Sequence, residues 1–123
     1  MKKISEHFTD KEFACKCGCG LSKPDPALMV VLEKIRDLSG DKTVRIASGR
    51  RCPKRNKQVG GAPNSQHLKG TAADIQIDGM APRDVARLAE TVLDGWGGIG
   101  RYATFTHVDV RKTRARWSGK GNG

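Results

Sequence analysis

Apolar positions along this chain of 123 residues fall into two helical stripes and three extended runs, with one long polar stretch between them. Leu28, Val31, Leu32, Ile35 and Leu38 recur at steps of three and four, the spacing of a single helix face. Asp25 suits a cap and Pro26 the first helical position, so a helix is expected from there to near Gly40. A second stripe, Val85, Leu88, Ala89 and Val92, follows Pro82 and stops before Gly95. Between the stripes, Lys42 to Ala47 reads as a strand because Thr43, Val44 and Ile46 are β-branched, and Thr71 to Ile77 reads as another. Strand alternation puts Asp74 and Gln76 on one face and Ile75 and Ile77 on the other, so Asp74 can face a cleft while the isoleucines enter a core. The run GWGGIG, residues 95 to 100, reads as a turn into a last extended region, Arg101 to Arg111, where Phe105, His107, Asp109 and Arg111 share a face. This order predicts an α+β fold: a small, mostly antiparallel sheet with two main helices packed against it.

The flanks carry less pattern. Residues 1–24 are a Cys-rich segment with His7, Phe8 and Phe13 as anchors and Gly18, Gly20 and Pro24 as turn makers. Residues 112–123 read as a basic, glycine-rich tail with Trp117 as its anchor. The segment SGRRCPKRNKQVGGAPNSQH is long for a small domain, and loops of that length are usually functional. Within it Pro53 opens a short helix through Gln58 before Gly60 and Gly61 stop it.

At 37% hydrophobic content, residues 1–123 are expected to form one domain around one core, and a monomer. No stretch approaches the roughly 18 apolar residues of a membrane span. The start, MKKISEHFTD, has no apolar run behind its lysines. Membrane insertion is therefore not expected, and synthesis in the cytoplasm without a signal peptide is. The formal charge of +10 is uneven: residues 41–70 carry eight basic side chains against one acidic, whereas 71–100 carry two against five. Such positive flanks suit an anionic partner, whether wall polymer, carboxylate substrate or nucleic acid. Nucleic acid is the weakest of these, since aromatic residues are few and no recognition motif is present.

Cys15, Cys17, Cys19 and Cys52 are compatible with free thiols, one or two disulfides, or a second metal site. They lack the paired two-residue spacings of a zinc ribbon and are expected to act as a structural staple in one of these forms.

The sharper chemistry lies in SQHLKGTAADIQI, which places His67 and Asp74 seven residues apart across a glycine turn. Of the remaining histidines, His7 reads as a surface or packing residue and His107 sits beside Asp109 on a strand. Two imidazoles and one carboxylate, here His67, Asp74 and His107, form a ligand set for Zn²⁺ that leaves a position free for water. Hydrolysis of a peptide bond then needs a base for the water and a cation for the oxyanion. Asp109, on the face of His107, is the candidate base. Arg51, forked and permanently charged, is the candidate for a substrate carboxylate or the oxyanion.

These segments resemble the zinc D-alanyl-D-alanine carboxypeptidase family, which includes the L-alanyl-D-glutamate endopeptidases of phage endolysins. The shared pattern is SGyR, an asparagine, SxHxxGxAxD and a later strand histidine. It falls on Ser48, Gly49, Arg51, Asn56, Ser65, His67, Gly70, Asp74 and His107. The resemblance implies zinc on His67, Asp74 and His107, substrate contact by Arg51, and cleavage of peptidoglycan stem peptides as carboxypeptidase or endopeptidase. It further implies action on the cell wall, in the periplasm, after release by a partner such as a holin. Many members place an acidic base three residues before the last histidine; here that position is Thr104, which leaves Asp109 either as the base or as a support for a ligand. The alternative function is a non-catalytic, metal-containing domain that binds an anionic wall polymer, since hedgehog-type signalling domains resemble these peptidases without sharing their activity.

Overall fold

A computed structural model describes residues 4–119. Among them are α1 (Pro26–Leu38), β1 (Val44–Ser48), α2 (Pro53–Gln58), β2 (Ala72–Ile77), α3 (Pro82–Val92), β3 (Gly98–Arg101), β4 (Thr106–Asp109) and β5 (Ala115–Ser118). Short 3-10 turns occupy Asp10–Phe13 and Gln66–Lys69.

The helices start where capping chemistry dictates. The Asp25 carboxylate accepts the Ala27 amide at 2.8 Å, and Pro26 occupies the first turn, where a missing N–H costs nothing. Leu28, Val31, Leu32 and Ile35 are buried as the stripe predicts, but Leu38, in the last turn, is exposed. In α3, Val85, Ala86 and Ala89 are buried against the sheet. Phe8 and Phe13 are both in the core, with ring centroids 6.0 Å apart, so the N-terminal segment is anchored through its aromatic rings. Burying one such large apolar side chain contributes about 1.5–3 kcal/mol.

The sheet has the order β1-β2-β4-β3-β5, antiparallel throughout except for the β3–β5 pair. Ala73, Ile75, Ile77, Ile99 and Val108 point toward α1 and α3 and form the core with them. On the opposite face a single row of register partners crosses all five strands: Ser48, Asp74, His107, Gly100 and Trp117.

Three expectations change. The region Arg101 to Arg111 is not one strand: β3 ends at Arg101, the chain turns with Tyr102 N–H donating to Phe105 O at 3.2 Å, and β4 begins at Thr106. Half of the glycine run is therefore strand. Gly98 and Gly100 alternate onto the row-bearing face, where a Cβ at Gly98 would lie 2.3 Å from Asp109 Oδ2 and one at Gly100 would lie 2.6 Å from the Trp117 ring. The glycines make room there for large polar and aromatic neighbours. Likewise the basic tail is partly strand, because Ala115–Ser118 pairs with β3; residues 120–123 lie outside the described region.

Candidate metal centre

Asp74 and His107 face each other because β2 and β4 pair in the register Asp74↔His107. His67 arrives from the 3-10 turn Gln66–Lys69, which Ser65 caps by accepting the His67 amide at 3.2 Å and which Gly70 ends in the left-handed region at φ +75. Asp74 Oδ1 then lies 3.1 Å from His67 Nε2 and 3.1 Å from His107 Nδ1, with the two imidazoles edge to face at 5.1 Å. All three side chains are buried.

The outer nitrogens fix the tautomers. His67 Nδ1 is 2.7 Å from the Gly49 carbonyl oxygen, which can only accept, so Nδ1 carries the proton. His107 Nε2 is 2.7 Å from Asp109 Oδ2, and the same reasoning puts a proton there. In the neutral imidazoles, lone pairs on His67 Nε2 and His107 Nδ1 both point at a carboxylate oxygen, a set that is repulsive without a cation. The potential ligand atoms of the three side chains lie within 4.8 Å of one another. Ligands about 2.0–2.1 Å from a tetrahedral zinc are about 3.3 Å apart, so these residues fit the ion. Burial opposes charging His107, but hydrogen bonds to Asp109 and Asp74 raise its pKa above the usual value. Burial likewise works against an ionised Asp74, yet the two histidines bring its pKa down to about 2.

Each of the three side chains is held from behind. Arg51 Nη2 lies 3.4 Å from Asp74 Oδ2, while Nη1 donates to Asn56 Oδ1 at 3.2 Å. Asn56 in turn donates to Ala62 O at 2.8 Å. Asp109 is gripped by Arg111, through Nε at 2.8 Å, Nη2 at 2.7 Å and the backbone amide at 3.1 Å. Burial would raise the Asp109 pKa, but bonds from His107 and Arg111 hold it far below the usual carboxylate range. A carboxylate bonded to the outer nitrogen of a metal-binding histidine orients the ring and raises its basicity.

The sequence pattern of these segments has a known counterpart. The family model for peptidase M15 matches residues 6–109. This chain belongs to the peptidase M15 family. It is 33% identical over 98 residues to the peptidoglycan L,D-endopeptidase MepK of Escherichia coli (strain K12), covering 73% of this chain and 53% of that protein, with the same values for the MepK of Shigella flexneri. A probable peptidoglycan L,D-endopeptidase MepK of Haemophilus influenzae is 40% identical over 68 residues, covering 54% of this chain and 35% of the relative. The chain thus spans about half the length, or less, of these relatives.

In this M15 chain a cleft of about 380 Å³ opens on His107 between the 62–66 loop and a wall made by Tyr102, Arg111 and Trp117. The Trp117 ring lies 5.0 Å from that of His107, with the Arg111 guanidinium 5.1 Å from the indole centroid. Trp117 Nε1–H donates to Tyr102 Oη at 3.0 Å. A larger groove, of about 810 Å³, lies on α1 around Met29, Val30 and Glu33 and touches none of His67, Asp74 and His107.

The site residues expected from sequence fare differently. His67, Asp74 and His107 converge. Asp109 shares the His107 face, but its oxygens meet His107 and Arg111 and it is 0% exposed. Arg51 is 3% exposed and does not line the cleft; it is turned inward to Asp74. Arg111, Tyr102 and Trp117 line the cleft without having been singled out for the site. Their signal in the sequence is faint: strand alternation puts Arg111 on the His107 face, and Trp117 reads only as an anchor.

Proposed function

We propose that this chain is a zinc-dependent peptidase that hydrolyses peptide bonds within peptidoglycan stem peptides, acting as an endopeptidase. The convergence of His67 Nε2, Asp74 Oδ1 and His107 Nδ1, with His107 lining a cleft, carries this reading. The peptidoglycan endopeptidases among its relatives support the substrate class and the type of bond.

Zinc in such a site polarises a carbonyl and lowers the pKa of a water to about 7. The chain supplies the rest. Arg51 and Asn56 hold Asp74 in place, and Asp109 with Arg111 fixes the proton of His107 on Nε2, so that Nδ1 stays free as a donor atom. Asp109 is therefore a positioning residue in this proposal, not the base. Arg111 replaces Arg51 as the cation facing substrate, because its side chain is about a third exposed and lines the cleft. Tyr102 Oη, which lines the cleft, accepts from Trp117, so its own proton is available to an acceptor there, such as a developing oxyanion or a leaving amine.

Digestion of purified peptidoglycan followed by mass spectrometry tests the reading. New peptides, each pair gaining one water, are expected from zinc-loaded protein and not from Asp74→Asn. Undiminished cleavage by that variant would sink it.

A second reading has one observation behind it. Arg83, Arg87, Arg101, Arg114 and Arg116 line a groove of about 410 Å³, where Arg116 pairs with Glu90, Arg87 pairs with Asp84, and Arg83, Arg101 and Arg114 add positive charge. Such a groove suits an anionic wall polymer. Salt-sensitive binding of wall polymer with no new peptides would favour that function over hydrolysis.

A further inference from the structure

Four cysteines that the peptidase reading does not use come together in the fold. Cys15, Cys17 and Cys19 lie on a tight loop closed by Cys15 N–H to Leu21 O at 2.7 Å and Gly18 N–H to Cys15 O at 3.2 Å, with Gly18 and Gly20 in the left-handed region. Cys52, far along the chain, sits at the start of α2. The four sulfurs lie within 4.8 Å of one another. Three of the separations are 3.4 Å (Cys15–Cys17), 3.7 Å (Cys15–Cys52) and 3.6 Å (Cys17–Cys52).

That geometry discriminates between the chemical states. A disulfide needs sulfurs about 2.05 Å apart and joins two of them. Here three sulfurs form a near-equilateral triangle at almost twice that distance. Thiolates about 2.3 Å from a tetrahedral zinc are about 3.8 Å apart along each edge, close to what is observed. The backbone favours thiolate as well: Cys52 N–H points at Cys15 Sγ at 3.4 Å and Arg55 N–H at Cys52 Sγ at 3.4 Å.

We propose that Cys15, Cys17, Cys19 and Cys52 form a second, closed zinc site of structural type. It goes beyond the peptidase reading, and only the expected total of two ions draws on that reading. Its place in the fold gives it a task. It ties the segment after Phe13 to the Gly49–Cys52 loop, which is already joined to it by Arg50 N–H to Phe13 O at 2.8 Å. That loop carries the Gly49 carbonyl that orients His67 and the Arg51 side chain that holds Asp74. A four-thiolate site there braces the outer partners of two ligands from behind.

Full-length protein purified under reducing conditions provides the test. Wild type is expected to hold two zinc ions per chain, of which a mercurial thiol reagent releases one. Cys17→Ser, a change at an exposed position, is expected to lose one ion and retain the other. In His67→Ala, X-ray absorption at the zinc edge should show only sulfur neighbours, at about 2.3 Å. Full wild-type protein with one zinc that mercurial does not release, or an intact mass lowered by two hydrogens per disulfide, would overturn the proposal. Because every readout is metal content, sulfur ligation or mass, inactivity toward peptidoglycan leaves the result unaffected.

Discussion

Gly98→Ala adds one methyl group and tests the support behind His107. Gly98 pairs with Asp109 across β3 and β4, and its backbone is in a region any residue adopts. The new Cβ would lie 2.3 Å from Asp109 Oδ2 and 2.6 Å from Oδ1, so the carboxylate must retreat by about 1 Å to reach ordinary contact. It cannot do so freely, because His107 at 2.7 Å and Arg111 at 2.8 and 2.7 Å pin both oxygens. Overpacking of this kind costs about 1–3 kcal/mol. Loss of a carboxylate partner from a metal-binding histidine typically weakens the metal by about 10–100-fold, or about 1.4–2.8 kcal/mol. Zinc affinity measured by chelator competition should fall by that factor, alongside a lower melting temperature. Gly79→Ala is the control: Gly79 has φ +79 and open space around it, so alanine there should cost stability without changing zinc affinity. Unchanged zinc affinity in Gly98→Ala, with Asp109 unmoved in its crystal structure, would refute the positioning role.

Asp109→Asn separates positioning from base catalysis: zinc affinity should drop by about tenfold while cleavage survives at saturating zinc, whereas complete loss of turnover with zinc fully bound would restore Asp109 as the base. Arg51→Lys should weaken zinc more than it raises KM, since Arg51 reaches Asp74 and not the cleft; an effect on KM alone would reverse that assignment. Arg111→Gln should lower both zinc affinity and cleavage, through the freed Asp109 and the lost cation respectively; a variant indistinguishable from wild type would remove Arg111 from the site. Melting temperatures across pH should move in opposite directions with and without metal. The raised pKa of His107 contributes stability to stripped protein that is complete below about 6.5 and disappears as pH rises through the folded value. Zinc competes with that proton, so its added stabilisation should grow over the same interval. Asp74 adds a limb at low pH, with stability present above about 3.9 and lost as pH falls toward about 2.

The convergence of His67, Asp74 and His107 was legible because their residue types are scarce and their backbone is regular. Two of three histidines sit in segments with a carboxylate at strand or turn spacing, and period-two alternation put Asp74 on a cleft face before any partner strand was known. Helix starts were readable from Asp25, Pro26 and Pro82, since capping is local. What depends on contacts between distant segments was harder to read. GWGGIG looked like a turn because glycine usually marks one, whereas Gly98 and Gly100 are small so that Asp109 and Trp117 can occupy the neighbouring rows. Residues 115–118 read as tail because their pairing with β3 is parallel and reaches across the sheet order, which local sequence does not encode. Arg51 is assigned by residue type and Asp109 by the strand face it shares with His107, while their work depends on burial and on which atom each one meets.

The central claim is that zinc on His67, Asp74 and His107 makes this chain a peptidoglycan peptidase. Stripping the metal, adding it back in measured amounts and following peptide release from purified sacculi tests this most directly, with His67→Ala in parallel. Stripped wild type should release nothing, zinc should restore cleavage, and His67→Ala should stay inactive at every zinc concentration. Cleavage that persists after stripping, or that zinc restores equally in His67→Ala, would contradict the account.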